Sequence, residues 1–349
     1  MIVRMECGSA RNGRLAEGCD HCLKGSKMVL FITGRCRTGC YYCPVSNEKK
    51  GRNVVYANER KVHCWDDIFE EADSMDATGT GITGGDPFED MDRTLRAIRT
   101  LKEHYGPSHH IHLYTSTMDP EKVRMAQEAG LDEIRFHPSE KVWSHMEDTC
   151  LAQIVSEAGL DVGLEVPVLP DYAEELNDLL DYASRIGVKF VNLNELEFSE
   201  GNWDMMEEHG YQLEDDLSSA IKGSRQVALD VMRNHRRLNT HLCSSSFKDG
   251  VQLRNRLLRK AEISAAPYEE ITEDGTVVKG VVYGDADTVM AQLRTLGVPE
   301  DMMAYNEDRN RIEVSRPHLE KVSGRLGCKC YIIEEYPTAD RLEVERMPL

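Results

Sequence analysis

Three cysteines in one short segment are the residues of this sequence with the clearest capacity for chemistry. Cys36, Cys40 and Cys43 lie within the segment 36–43, here named the cysteine loop, directly after an apolar run over residues 28–34. Soft thiolate ligands select zinc or iron–sulfur clusters over hard cations. Three thiolates can ligate three irons of a [4Fe–4S] cluster and leave the fourth iron open to another ligand. A structural zinc site, completed by a ligand elsewhere in the chain, is the alternative.

A second segment strengthens the cluster interpretation. The C-x3-C-x2-C spacing, with Tyr42 before the last cysteine, resembles the radical S-adenosylmethionine (SAM) superfamily. The segment Gly84-Gly85-Asp86-Pro87, here named the GGDP segment, follows about forty residues later and resembles the GGEP motif of that superfamily. Asp86 stands where the family usually has glutamate, so the shorter acid departs from the family pattern.

The resemblance implies a cofactor set and a reaction. A [4Fe–4S] cluster at the cysteine loop would chelate SAM through its open iron. An electron donor such as ferredoxin or flavodoxin would then drive reductive cleavage to a 5′-deoxyadenosyl radical, which abstracts a hydrogen atom from the substrate. The chain most resembles the branch related to pyruvate formate-lyase activating enzyme, in an archaeal-type subgroup. We assign no catalytic residue.

The family resemblance, together with the predicted strand positions, also predicts which side chains contact the cofactor. They share positions at or near the carboxyl ends of predicted strands, where functional groups of such barrels lie. Alternatives remain for single residues: the GGDP segment could be a plain strand-to-helix turn, and Arg135 could pair with a core acid instead. The predicted cofactor-binding residues are Tyr42, Gly84, Gly85, Asp86, Pro87, Ser116, Arg135, Glu165, Asn192 and Asn194.

A second group of cysteines suggests a further metal site. Cys19 and Cys22 form a C-x2-C pair before the barrel, and Cys243 follows its last predicted unit. A C-x2-C pair is a good bidentate metal ligand. If the two ends of the barrel meet, these three cysteines could hold an auxiliary iron–sulfur cluster or a zinc ion. The absence of any metal there is the third possibility.

Alternating strands and helices predict how these residues are positioned. Strands are expected at 28–34, 78–83, 110–116, 132–137, 161–168 and 189–194. Helices are expected between them, at 65–74, 89–105, 120–129, 147–158 and 171–186. Six such units predict an α/β fold with parallel strands, and the family resemblance makes it a partial, TIM-like (β/α)6 barrel.

The remaining segments are assigned around that barrel. Residues 1–27 form a cysteine-containing extension, and 28–240 form the barrel. Residues 241–264 form a basic linker or helix that carries Cys243, and 265–349 form a small α+β domain. The last segment has a β-α-β-α-β pattern, which favours a ferredoxin-like fold.

Composition excludes some partners. The chain has 349 residues and a net charge of −19, which disfavours non-specific nucleic-acid binding. No apolar stretch is long enough to span a membrane, and no secretory signal is evident, so we expect a cytoplasmic protein. The stretch 225–260 holds nine basic residues against two acids. It could face an anionic ligand, or it could simply pair with acidic neighbours.

The substrate is left open. A small molecule or cofactor precursor is favoured by the acidic composition, followed by modification of a peptide or protein, including glycyl-radical activation. RNA modification rests on the basic stretch and the appended domain. A non-catalytic iron–sulfur or zinc scaffold is the alternative that involves no reaction.

Overall fold

The computed structural model describes residues 1–349, which divide into two compact units. The first contains residues 1–69 and 77–253, and the second contains residues 70–76 and 254–349. We describe each unit by itself. The segment boundaries predicted from the sequence stay predictions. None of the helices combines the length and apolar character that a membrane crossing requires.

One sheet runs through the first unit. Its strands are β1 (Ile2–Arg4), β2 (Ala10–Asn12), β3 (Lys27–Phe31), β4 (Tyr56–Ala57), β5 (Arg60–Lys61), β6 (Gly79–Thr83), β7 (His110–Thr115), β8 (Glu133–Phe136), β9 (Asp161–Val168), β10 (Phe190–Glu195) and β11 (Thr240–Cys243). Strands β3, β6, β7, β8, β9, β10 and β11 are neighbours in that order and parallel. Antiparallel pairs at both edges leave the barrel open.

Helices connect these strands. They are α1 (Glu17–Leu23), α2 (Trp65–Asp73), α3 (Met91–Tyr105), α4 (Pro120–Glu128), α5 (Leu151–Glu157), α6 (Ala173–Ile186), α7 (Trp203–Glu208), α8 (Ser224–Asn234) and α9 (Ser245–Phe247). Local chemistry sets several ends. The Asp119 side chain accepts from the backbone N–H groups of Glu121 and Lys122 and so caps α4, and Gly187 ends α6 in the left-handed conformation that glycine adopts without strain.

The six predicted strands correspond to β3 and β6–β10, which confirms the α/β class and the partial barrel. The sequence analysis missed a seventh parallel strand, β11, because only four residues of mixed polarity form it. It also missed the hairpin of β1 and β2, which continues the sheet beyond β11. The amino-terminal segment therefore forms part of the sheet in the first unit.

Helix α1 packs against β3, β6 and β7. Gly18 makes this approach possible, because a Cβ there would meet His112 Nδ1 at 2.5 Å and Arg135 Nη2 at 2.6 Å. Both of those side chains are buried and cannot retreat cheaply. The close contact fixes the position of the two cysteines on α1.

The second unit is a ferredoxin-like domain, as predicted. Its elements are α10 (Arg254–Ser264), β12 (Glu270–Ile271), β13 (Val277–Tyr283), α11 (Ala286–Thr295), β14 (Met303–Asn306), β15 (Arg311–Val314), α12 (Arg316–Val322), β16 (Lys329–Glu335) and β17 (Glu343–Pro348). Four strands follow a β-α-β-β-α-β order with the antiparallel arrangement β14-β15-β13-β16. The short strand β14 was not predicted.

The sheet of this second unit has an apolar side and a charged side. Leu293 and Leu319 of the helices pack on Ile312 in an apolar core. Elsewhere in the sheet, the buried Lys279 ammonium lies 2.8 Å from Glu313 and 2.7 Å from Glu335. Because each of these buried charges has a partner of opposite sign, the cluster is accounted for structurally.

Gly18→Ala should lower the free energy of unfolding by about 1–3 kcal/mol, because an added methyl overpacks the contact between α1 and the strands. Anaerobic urea denaturation measures this change. Gly159→Ala is the matched control, since its new methyl would meet only the end of the Gln127 side chain, and its effect should stay within about 0.5 kcal/mol. Equal effects of the two substitutions would contradict the assigned contact.

Candidate active site

A cavity of about 550 Å³ opens at the carboxyl ends of the parallel strands of the first unit. It brings the cysteine loop together with side chains from β3, β6, β7, β8, β9, β10 and β11, as expected for a barrel of this kind. Eight of the ten predicted cofactor-binding residues line it, namely Tyr42, Gly84, Gly85, Ser116, Arg135, Glu165, Asn192 and Asn194.

All three cysteines of the cysteine loop line this cavity. Cys36 is exposed, and Cys40 and Cys43 are half-buried. Tyr42 is buried, and its hydroxyl donates to Glu140 at 3.2 Å. Its carbonyl oxygen accepts from Asn202 Nδ2 at 3.0 Å. These contacts hold the loop between the cavity and its neighbours.

The two glycines of the GGDP segment are required by close backbone packing. The Gly85 N–H donates to the Thr33 carbonyl oxygen at 2.7 Å. A Cβ at Gly84 or Gly85 would collide with the carbonyl oxygen of Thr33 or Arg35. Glycine therefore lets the end of β6 pack against the chain that leads into the cysteine loop.

Asp86 and Pro87 do not line the cavity. Instead, the buried Asp86 carboxylate accepts from the hydroxyl groups of Thr115, Ser116 and Thr117 at 2.6, 2.8 and 2.8 Å. Ser116 Oγ also lies 2.7 Å from Thr38 Oγ1 of the cysteine loop. Asp86 thus ties the ends of β6 and β7 together and, through Ser116, to the loop. The predicted cofactor contacts of Asp86 and Pro87 stay predictions.

A network of charges and amides forms the floor of the cavity. Arg135 Nη1 donates to Glu165 at 2.9 Å, and the amides of Asn192 and Asn194 donate to the same carboxylate at 2.7 and 2.8 Å. Burial raises the pKa of Glu165, but Arg135 and the two amides outweigh it, so the pKa lies below its usual value. Glu165 therefore presents a fixed negative charge.

Sequence reasoning missed two basic groups on the wall. Lys27 starts β3 and faces inward with Val29, and His241 of β11 faces the same space. Burial lowers the pKa of His241 to about 4, so its imidazole is neutral near pH 7. The alternation of side chains along β3 offered a signal for Lys27, whereas His241 depended on recognising β11 as a strand.

The second cysteine group reaches the same cavity. Cys19, Cys22 and Cys243 line it together with the cysteine loop. No set of three or more histidine, cysteine or acidic side chains converges as tightly as a single metal ion requires, and this is true of both cysteine groups. A cluster needs no such convergence, because its thiolates ligate different irons.

The basic stretch 225–260 is largely paired with acids. Arg225 Nε lies 2.8 Å from Glu195, and Lys248 Nζ lies 2.7 Å from Glu197. In the second unit, Lys260 lies 2.7 Å from Glu71. The structure therefore favours the interpretation that this stretch pairs with acidic neighbours of the same chain. It does not favour a binding surface for an anionic ligand.

The sequence is similar to two family models and to one curated protein. The family model "Radical SAM superfamily" matches residues 30–138, and "Domain of unknown function (DUF8061)" matches residues 275–349. A Methanocaldococcus jannaschii protein named "Putative glycyl-radical enzyme activating enzyme" is 37% identical over 96% of this chain and 93% of its own.

Two solved structures overlap the fold in part. Methylornithine synthase (PylB) has a TM-score of 0.41 and 16% identity, over 60% of this chain and 63% of its own. HydG, a maturase of the [FeFe]-hydrogenase, has a TM-score of 0.40 and 13% identity, over 65% of this chain and 57% of its own. Such low TM-scores support no inference about this chain.

Arg135→Met should lower the free energy of unfolding by about 3–5 kcal/mol at neutral pH, because it leaves the buried Glu133 and the largely buried Glu165 without their shared guanidinium. Arg124→Met is the control: this exposed arginine also contacts two glutamates, and its loss should cost less than about 1 kcal/mol. Anaerobic denaturation of the wild type and both variants measures the difference.

The pH dependence tests the same charge balance. In the wild type, the pKa of Glu165 in the folded state lies below its usual value. The ionised carboxylate therefore stabilises the fold at pH values above the usual pKa, and this stabilisation is lost as the pH falls through the folded-state pKa. In Arg135→Met, burial without the guanidinium raises that pKa. Protonation of Glu165 in the variant then removes the cost of an unpaired charge. The difference in free energy of unfolding between the wild type and Arg135→Met should therefore shrink between about pH 7 and about pH 5. A constant difference would contradict the assignment.

Proposed function

Because the chain belongs to the radical SAM superfamily, in the branch related to pyruvate formate-lyase activating enzyme, we propose that it abstracts a hydrogen atom from a small polar substrate. The chain is a SAM-dependent radical enzyme whose cofactors are a [4Fe–4S] cluster and SAM. One observation carries the substrate proposal: the cysteine loop shares its cavity with a charged, amide-rich floor.

The residues present fit the cluster. Cys36, Cys40 and Cys43 all line the cavity and are at least partly exposed, so their sulfurs would hold three irons and leave the fourth without a protein thiolate. When bound, the cluster and SAM supply one-electron cleavage of SAM and a 5′-deoxyadenosyl radical that removes a hydrogen atom. The neighbouring Gly84 and Ser116 would contact SAM, and Asp86 would hold Ser116 in place.

The floor would bind and orient the substrate. Lys27 offers an ammonium, Glu165 offers a carboxylate, and the amide of Asn194 lies next to it. A volume of about 550 Å³ lies within the range of small-molecule sites. The Lys27 ammonium, which contacts the neutral Tyr114 hydroxyl at 3.4 Å, favours a compact substrate with a negative charge of its own, because a charge this deep in a barrel needs a partner. The electron donor we propose is a ferredoxin or flavodoxin.

A second candidate function is the activation of a glycyl-radical enzyme. The name of the Methanocaldococcus jannaschii relative, whose length this chain almost fully covers, favours it. The hydrogen would then come from a glycine of a partner protein. RNA modification loses its main support, because the basic stretch is paired with acids.

The test uses the reconstituted protein under anaerobic conditions with SAM and dithionite. We expect 5′-deoxyadenosine to form slowly when no extract is added. It should form faster when the low-mass fraction of an extract from deuterium-grown cells is present. That fraction should also transfer deuterium into 5′-deoxyadenosine, as detected by mass spectrometry. Stimulation and transfer by the macromolecular fraction alone would instead support activation of a protein partner.

Cysteine variants provide the controls. Cys40→Ala should abolish 5′-deoxyadenosine formation, because two thiolates hold a four-iron cluster poorly. Cys150→Ala removes an exposed cysteine outside the cavity and should leave the rate unchanged. Wild-type protein that contains its cluster and binds SAM but never cleaves it would support a non-catalytic scaffold.

A further inference from the structure

Three cysteines from distant parts of the chain line the same cavity as the cysteine loop. Cys19 and Cys22 lie three residues apart on α1, so they share one face of that helix. Cys243 is the last residue of β11, and all three line the cavity. We name them the second triad. Cys19 and Cys243 are each 7% exposed, so they are shielded from bulk solvent.

Two of these sulfurs accept hydrogen bonds from side-chain amides. Asn192 Nδ2 lies 3.1 Å from Cys19 Sγ, and Gln252 Nε2 lies 3.4 Å from Cys243 Sγ. A neutral thiol is a weak acceptor, whereas the sulfurs of an iron–sulfur cluster carry negative charge and are tuned by such donors. The amides are therefore placed as outer partners of a metal-bound sulfur.

Two cations share the cavity wall with the second triad. The Lys27 ammonium contacts the neutral Tyr114 hydroxyl at 3.4 Å, and Lys27 lines the same cavity as all three cysteines. Arg135 Nη2 is buried without a hydrogen-bond partner, and it would lie 2.6 Å from a Cβ added at Gly18, the residue that precedes Cys19 on α1. Buried cations require a counter-charge, and thiolates bound to a cluster would provide it.

We propose that Cys19, Cys22 and Cys243 hold a second [4Fe–4S] cluster, with its fourth iron open to the cavity. The cavity wall contains six cysteines, three in the cysteine loop and three in the second triad. Each set therefore supplies three thiolates and leaves one iron without a protein thiolate.

Zinc explains the second triad less well. A structural zinc ion takes four ligands in a tetrahedron at about 2.3 Å from each sulfur. The three thiols do not converge to that extent, and the His241 imidazole on the same cavity wall does not complete such a group with them. Cys7, the remaining nearby cysteine, is exposed and absent from the cavity wall. The proposal does not depend on the substrate assigned above.

The experiment counts metal and sulfide in the full chain after anaerobic reconstitution. The wild type should contain about eight irons and eight sulfides, the sum of two four-iron clusters. The combined variant Cys36→Ala/Cys40→Ala/Cys43→Ala should retain about four irons and a reduced-state EPR signal that SAM does not change. The combined variant Cys19→Ala/Cys22→Ala/Cys243→Ala should retain about four irons whose signal SAM does perturb.

The variant that lacks the three cysteines of the cysteine loop, here named the loop variant, decides the question, because it leaves the second triad intact and needs no substitution in the core. Wild-type protein with about four irons, together with a folded loop variant that holds none, would overturn the proposal. Zinc in place of iron in the loop variant would overturn it as well. Cys64→Ala/Cys150→Ala removes two exposed cysteines and should keep the full iron count.

Lys27→Met, made in the loop variant, tests the charge environment. Removing a cation next to the cluster disfavours addition of an electron, so the midpoint potential should become more negative. Redox titration followed by EPR measures this potential. Lys50→Met is the control, because Lys50 also lines the cavity but is exposed. An equal shift in both variants, or none in Lys27→Met, would contradict the placement of the second triad beside Lys27.

Discussion

A single guanidinium connects the inward-facing polar groups of three neighbouring strands. Arg135 on β8 contacts Glu133 on the same strand at 2.5 Å and Glu165 on β9 at 2.9 Å. Glu165 in turn accepts from Asn192 and Asn194 on β10. Because the interior of this open barrel is polar, its charges must satisfy one another. The floor of the cavity, and everything that binds there, depends on this balance.

The mouth of the cavity depends on a different carboxylate. Asp86 accepts from three consecutive hydroxyl groups at the end of β7, and one of them, on Ser116, reaches Thr38 in the cysteine loop. The cysteine loop is held by hydrogen bonds to residues outside it, namely Ser116, Glu140 and Asn202. The shorter acid that departs from the family motif thus has a clear structural use in this chain.

The positions of the longer strands could be predicted closely from the local sequence pattern. Strand β9 was expected at 161–168 and is observed at Asp161–Val168, because apolar runs of this length between helices are typical of buried parallel strands. The ferredoxin-like order of the second unit was likewise predicted, apart from β14. Short pieces such as β11 and β14, of four residues each, were missed because their extended form comes from pairing with neighbours.

For the site, the sequence by itself determined the chemistry of the ligands. The spacing of Cys36, Cys40 and Cys43 predicted three thiolates on one loop, since neighbours in sequence need no fold to be close. Only the tertiary structure decided that Cys19 and Cys243, more than 200 residues apart, reach the same cavity. It also decided that Asp86 holds strand ends together away from the cavity wall. Such contacts depend on how strands pair and helices pack, and a one-dimensional pattern does not specify long-range pairing.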